Sequence, residues 1–584
     1  MTAIIPFCAA TLATGCAWIL HRTLKKRGTV IPWIMVYLTF ILPFAAGGFY
    51  TYTAAITTVL LLANLALLVR NQKMFRFCWN LNSASVIAVV IGYCITPIWA
   101  IDKGMSIFGI VRYLPLLLLA LTLMQYSAEQ KSCLLHLIPL CGAVMTIVSL
   151  LLLMIPGTDA IVSYRGRLCG FLQYPNTFAA FLLAGLVIQG SRNVHSKQDL
   201  IMNAILILGI VLSGSRTGLI LLFPALIGIV IVRRNIKMIF LLMFFTVCGL
   251  MIALLISGGD LLRNADRFTT ISWNSKSLML RLLYFKDSLP VILKHPFGLG
   301  YMGYRALQGS FQTGNYSVTF VHNGLLQLLL DIGWIPSILL TAAFLRPQFS
   351  PSTPKGTRLL LLIVLGHCMM DFDLQFFVTW VVLLCMLDFN SGKELPCKFC
   401  TIPCMITGVC IAAGCIWLGL GDLCYSIGYP TASLRVTPFH TDALTTTLAS
   451  SATTGEAAEL ADRILELNDS CSIAYSAKAN EALSQGKILA MTEYKEQAIR
   501  TARYSVAEYC DYFDKLYAAL QLYQRAGDSS SAAYCLEKLL SIPDMMEQVP
   551  TAGAIFASAT DSNKLMLPDP YQTILDTLAP SQNT

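Results

Sequence analysis

Arginines, a histidine and small polar residues recur in this chain where charge is costly. Tyr164-Arg165-Gly166-Arg167 precedes Gly170-Phe171-Leu172-Gln173-Tyr174-Pro175-Asn176, and Ser213-Gly214-Ser215-Arg216-Thr217-Gly218 forms a tight turn between two apolar stretches. Arg281-Leu282-Leu283-Tyr284-Phe285-Lys286-Asp287 leads to His295-Pro296-Phe297-Gly298-Leu299-Gly300, and His322-Asn323 opens a further apolar stretch. Asn323, Gln327 and Asp331 are four residues apart, so they share one helical face. Such a polar stripe inside an apolar helix normally faces a bundle interior or a wet cavity. Arginine presents five donors in a planar fork that matches phosphate oxygens and stays charged at physiological pH. Fixed donors of that kind stabilise charge developing on a diphosphate leaving group. Histidine, with an ordinary pKa of about 6.5, accepts a proton near neutrality. The set therefore suits a polyanionic substrate and a hydroxyl to be deprotonated. His322, Arg216 and Arg281 are the candidates for the chemistry; Arg165, Arg167, Asn176, Arg305, Asn323 and Gln327 are candidates for holding the substrate.

Each candidate also has a plainer reading. Arg216 could snorkel to an interface, and Arg281, on an amphipathic segment, could meet lipid headgroups. His322 could cap a helix or bond a neighbouring carbonyl. Asp371 and Asp373, which follow His367, suit either a structural polar network or the acceptor side of a site, and His295 before proline reads as a turn residue. Gly298-Leu299-Gly300-Tyr301-Met302-Gly303 matches GxGxxG letter for letter. It follows an amphipathic segment, not a strand, and no βαβ unit surrounds it, so a tight turn is the better account.

The elements that must position these residues are membrane helices. Of 584 residues 56% are hydrophobic and 12% charged, whereas a soluble domain carries about 25% charged residues. Spans of roughly 20 apolar residues are expected near 3–20, 29–46, 51–69, 83–101, 107–125, 133–155, 171–190, 201–214, 218–232, 238–257, 321–345, 359–375, 376–390 and 404–422. That is about fourteen, in an all-α polytopic bundle over 1–422. The first is followed by His21-Arg22-Thr23-Leu24-Lys25-Lys26-Arg27 and not by a cleavage site, so no removable leader is expected. One alternating set of loops (21–27, 70–76, 126–132, 191–200, 233–237, 346–358, 390–403) holds 18 Lys plus Arg; the other, leaving aside 258–321, holds Lys103, Arg165, Arg167 and Arg216. The first set is expected on the cytoplasmic side. The N-terminus, the long loop 258–321 and the C-terminal tail are then extracytoplasmic, on a multi-pass protein of the cytoplasmic membrane.

Residues 1–423 carry 30 basic and 13 acidic side chains; the remainder carries 11 and 19. The basic half largely follows the cytoplasmic bias, which leaves no reason to expect nucleic acid. Most of the nineteen cysteines lie in apolar stretches, where cysteine acts as a small hydrophobe. Cys397-Lys398-Phe399-Cys400 is a lone CxxC without a nearby histidine, so no metal site is expected. After a connector at 423–449, helical periodicity near 450–467, 471–485, 487–503, 505–526 and 530–541 suggests paired helices, a tetratricopeptide-like domain over 450–584. A small helical cap without a binding role is the alternative.

The clusters Arg167…Gly170…Pro175-Asn176, Ser213-Gly214-Ser215-Arg216-Thr217-Gly218, Arg281…Asp287…His295-Pro296…Gly298-Leu299-Gly300, His322-Asn323…Leu326-Gln327…Gly333 and His367…Asp371-Phe372-Asp373 resemble the O-antigen ligase and polymerase family. The resemblance covers about 160–375. It implies a GT-C-like membrane glycosyltransferase that moves a glycan from an undecaprenyl diphosphate carrier to a glycan, lipid or protein acceptor, with no cofactor and no required metal. It further implies that Arg216 and Arg281 hold the diphosphate and that His322 is the base. More spans than the family's usual ten to twelve, and the helical tail, depart from its pattern. Partners expected are the lipid-linked oligosaccharide donor, the acceptor, membrane lipids, and a protein partner for the tail. A transporter or flippase for a lipid-linked or anionic solute is the alternative from another class. It would favour two related halves, which the sequence does not show. A mere membrane anchor for the tail leaves the outward arginines unexplained.

Overall fold

The computed structural model describes residues 32–72, 75–192, 197–234, 275–397, 401–560 and 565–578, with scattered residues before 32 and between 244 and 251. The expected spans 3–20 and 238–257, residues 258–274 of the long loop and most of the CxxC motif lie largely or wholly outside them. The described chain is all-α apart from two small antiparallel sheets. Among the described residues six helices are long and apolar enough to cross a membrane: Thr51–Arg70, Leu81–Ile98, Lys103–Gln125, Glu129–Leu153, Arg216–Arg233 and Pro403–Ser426. Trp33–Phe44 and Pro175–Gly190 are shorter apolar helices. Contacts divide the chain into two units: 1–95, 108–272 and 322–437, and 96–107, 273–321 and 438–584.

In the first unit Pro175–Gly190 is buried along its entire length, as expected of a helix apolar all round. It packs against Ala128–Leu153, Lys197–Leu212, Arg216–Arg233 and Lys355–Cys368. Small residues permit this: a Cβ on Gly209 would stand 2.5 Å from Leu182 Cδ1, and one on Gly190 2.6 Å from Ile229 Cδ1. Phe75–Trp79 pairs with Lys393–Cys397, Gln125 bonds the backbone of Arg76 at 2.8 and 3.1 Å, and Asn390 Nδ2 donates to the Tyr126 carbonyl at 3.4 Å. Described residues of the loops 70–76, 126–132 and 390–403, all from the lysine- and arginine-rich set, therefore meet.

Two expected spans are interrupted. The stretch 321–345 is two helices, Gly324–Ile332 and Trp334–Phe349, divided at Gly333 with φ 79 and ψ −168, a conformation essentially reserved for glycine. The stretch 359–375 stops being α-helical after Cys368 and turns through Asp373–Gln375, and Phe377–Cys385 follows within the next expected span, 376–390. The non-helical residues there carry Asp371 and Asp373.

In the second unit Thr454–Leu467, Ser472–Ser484, Ile488–Thr501, Val506–Ala526 and Ser529–Leu540 follow the periodic runs, each helix packed on the next. Gly527, φ 72, closes one helix, and Asp528 caps the following one by accepting from Ser531 N at 3.1 Å. Tyr509, Tyr512, Phe513 and Leu516 form the core with Met491 and Leu539. The stretch expected as a connector holds helices Pro430–Val436 and Thr441–Leu448. The described part of the long loop forms Lys276–Lys294 and Gly303–Phe311, joined by a turn with Gly298, Gly300 and Met302 at positive φ. This turn contains the GxGxxG letters. Loop and tail fold together: Lys286 Nζ donates to the Ala552 carbonyl at 3.1 Å, and Arg503 N to that of Gly309 at 3.1 Å.

Gly309 is the tightest point of that packing, since a Cβ there would lie 2.1 Å from the Thr501 carbonyl oxygen. Gly309→Val is expected to destabilise the unit by about 1–3 kcal/mol, seen as a lower melting temperature in detergent. Gly455→Ala, with nothing within 4 Å, should not lower it. Equal melting of Gly309→Val and wild type would show that this approach does not constrain the fold.

Candidate active site

In the first unit Ser163–Tyr164 and Arg167–Leu168 form a minimal hairpin. Its two turn residues, Arg165 and Gly166, both have positive φ (52 and 70), the geometry that matches strand twist in two-residue turns. Arg165 is exposed at the tip with its guanidinium 5.3 Å from the Tyr164 ring centroid. Arg167 points the other way: Nε donates to the Ser213 carbonyl at 2.8 Å and Nη2 to Asn176 Oδ1 at 2.6 Å. It crosses Gly214, where a Cβ would come within 3.5 Å of Nε. The Ser213 hydroxyl accepts from Ser215 N at 3.2 Å, and the Ser215 hydroxyl caps the next helix by accepting from Gly218 N at 3.1 Å. Arg216 is thereby the first residue of Arg216–Arg233, at the positive end of its dipole.

Asn176 continues the chain of bonds, with Nδ2 donating to Asp371 Oδ2 at 2.5 Å. Tyr174 Oη donates to Asp371 Oδ1 at 3.0 Å, and Phe372 N to the same oxygen at 2.9 Å. His322 Nδ1 lies 3.1 Å from it. The phenol, amide and backbone N–H all use the carboxylate as an acceptor, so an ionised Asp371 assigns the proton to His322 Nδ1 and the lone pair to Nε2. The Asp371 side chain is fully buried, whereas that of His322 is 19% exposed. His322 has φ 56, and its ring stands edge-on to Phe372 at 5.0 Å.

Behind this set lies a second layer. His367 Nδ1 is 2.6 Å from Asp373 Oδ2, and Thr177 Oγ1 donates to Asp373 Oδ1 at 2.8 Å. Arg112, nearly buried, donates to the Phe49 carbonyl and, at 2.8 Å, to that of Gln375. Asn323 caps Gly324–Ile332 through Leu326 N at 3.0 Å and donates to the Met369 carbonyl at 2.9 Å. Gln327 donates to Asp331 at 2.8 Å, and Tyr93 Oη bonds the same carboxyl at 2.9 Å. Asn323 and Gln327 thus have structural partners where substrate contact was expected.

The remaining two candidates lie in the second unit. Arg281 is half-buried on Lys276–Lys294. Arg305 grips Asp442 with both arms, Nη1 at 3.0 Å and Nη2 at 2.5 Å, so it too has a structural partner. Nearby, Asp102 accepts from Met105 N at 2.9 Å, Thr441 Oγ1 at 2.8 Å and Asn468 Nδ2 at 3.4 Å.

Residues 201–341 match the family described as O-antigen ligase. The match supports an O-antigen ligase reading of this stretch. Comparison with curated proteins and with solved structures gives no match. The O-antigen ligase region holds Arg216, Arg281, Arg305, His322, Asn323 and Gln327, whereas Arg165, Arg167, Asn176 and Asp371 lie outside it. Together with the apolar helices, the match points to a multi-pass membrane protein. Sequence reasoning left Tyr174 and Arg112 out of the candidate set. The only available signal for Arg112 was a lone arginine within an apolar stretch, which normally needs an internal partner.

Two buried groups of the second unit titrate in opposite senses. Burial pushes the Asp102 carboxyl up from 3.8 to about 6, and burial pushes the His440 imidazole down from 6.5 to about 4. A raised carboxyl favours the folded state below pH 4, an advantage lost as pH rises through 6. A depressed imidazole favours it above pH 6.5, lost as pH falls through 4. Between pH 7 and 5 the two effects oppose each other. Asp102→Asn removes the first, so its melting temperature should fall more steeply than wild type on acidification, by the equivalent of about 1 kcal/mol. Parallel pH curves for the two proteins would contradict the assignment.

Proposed function

We propose that the protein transfers or polymerises a glycan from a polyprenyl-diphosphate-linked donor, undecaprenyl diphosphate by family resemblance, to an acceptor hydroxyl on the outer face of the cytoplasmic membrane. One observation carries this reading: the hydrogen-bond chain Ser213–Arg167–Asn176–Asp371–His322 joins four separate sequence clusters around one imidazole. Asp371 holds Nδ1–H, and Nε2 takes the acceptor's proton as its oxygen attacks the anomeric carbon. The bond from that carbon to the diphosphate breaks, and the lipid diphosphate leaves with the electron pair. A single displacement of this kind inverts the anomeric carbon. Arg216, at a helix N-terminus, and Arg165, on its exposed turn, hold the diphosphate. Arg167 acts mainly as a tie between the turn and the dyad. Arg281, within the family-matched region, supplies a further phosphate contact.

The tail is proposed to present the acceptor or a partner protein. Because the helix bearing Arg281 packs on tail residues such as Ala552, deleting 450–584 is expected to depress donor turnover as well as to change product length. Normal donor turnover with altered product length alone would separate the tail from donor handling.

The decisive assay incubates reconstituted protein with a lipid-linked oligosaccharide and reads product mass. His322→Ala should abolish transfer while donor binding persists, and Asp371→Asn should lower turnover by about 10²–10⁴-fold. Arg216→Ala should weaken donor binding about tenfold or more, the worth of a lost charged hydrogen bond. Near-normal turnover by His322→Ala removes the base assignment.

A further inference from the structure

The helix Lys276–Lys294 buries Leu283, Tyr284, Asp287, Ser288, Val291 and Ile292. Its opposite side is also largely apolar. Leu282, Leu289 and Leu293 recur at helical spacing, and Phe297 follows four residues later. All four are exposed, Leu293 at 68% and Phe297 at 66%. The ring of Phe297 meets Trp99 edge-on with centroids 6.4 Å apart. Trp99 directly follows the candidate span Leu81–Ile98 and stands four residues before Lys103–Gln125. Chain connectivity alone therefore keeps it at the ends of two membrane helices. The exposed side of the first of these, Ile91, Ile95 and Ile98 at positions i, i+4 and i+7, runs directly into Trp99. Lys276 and Lys294 mark the two ends of the loop helix, both exposed.

We propose that Leu282, Leu289, Leu293 and Phe297, with Trp99, form an interfacial foot that lies in the lipid–water boundary of a phospholipid bilayer. Two features select a bilayer over a protein partner. Phe297 meets Trp99, which directly follows a candidate spanning helix in the chain, and the aromatic and cationic residues of the stripe are those that favour the headgroup level. Lys276 and Lys294 meet the phosphates of anionic lipids while the leucines enter the acyl boundary. The helix then lies in the membrane plane, and the depth of Arg281 is set by its neighbour Leu282. The foot depends on the membrane reading and not on the transfer reaction.

The test places a photoreactive benzophenone amino acid at Leu289, Leu293 or Phe297 of the full chain, reconstituted in nanodiscs of phosphatidylethanolamine and phosphatidylglycerol. Phe223, exposed on the spanning helix Arg216–Arg233, is the lipid-contact reference, and Leu522, exposed on the tail, is the aqueous reference. After irradiation, phospholipid adducts at the three foot positions should approach the yield at Phe223 and exceed that at Leu522. Yields equal to Leu522, or adducts to protein in place of lipid, overturn the proposal. Phosphatidylglycerol enrichment among the adducts, lost in Lys294→Gln, is expected of the cationic end.

Discussion

The candidate site depends on one fully buried carboxylate. Asp371 accepts from a phenol, an amide, a backbone N–H and an imidazole. A buried carboxylate without such donors would protonate or force local rearrangement. With them it stays an acceptor and can orient His322. The interruption of the helix after Cys368 allows this arrangement. A continuous helix would satisfy its own backbone and carry Asp371 past these partners on a regular face. The site is therefore built where regular structure stops, between the helices Lys355–Cys368 and Phe377–Cys385.

His322 has a related cost. Its φ of 56 lies in the left-handed region, where a non-glycine residue typically costs about 1–3 kcal/mol. The following Asn323 caps the next helix and ties back to the Met369 carbonyl, so the strained residue is fixed on both sides. Asp371 on one face and Phe372 on another determine where the ring points. Strain held by surrounding bonds leaves a side chain with few alternative orientations.

Much of this was legible from residue type. A histidine and arginines beside hydrocarbon require partners, and that requirement alone singled out His322, Arg167 and Arg216. The four-residue spacing of Gln327 and Asp331 correctly put them on one face, but spacing does not say who faces whom. Gln327 and Tyr93 satisfy Asp331 internally. Arg305 was likewise visible as a charge, while its partner Asp442 lies 137 positions away and no periodicity links the two. The tail helices were legible because the 3.6-residue period is local. The grouping of residues 273–321 with that tail was not, because it rests on close approaches such as Gly309 to Thr501.

The arginines sort by what their neighbours leave them to do. Arg167 and Arg305 spend their planar forks on specific acceptors inside the protein, and Arg112 is nearly buried against two carbonyls. These three hold loops in register, because a guanidinium can bridge acceptors from distant segments where a lysine offers a single point charge. Arg165 is exposed on a tight turn, and Arg216 is the first residue of a helix capped by Ser215. Arg167 in particular ties the turn at Ser213 to Asn176, and through it to the His322–Asp371 pair. A planar fork that reaches two acceptors at once explains why an arginine, Arg167, stands between the turn and the imidazole.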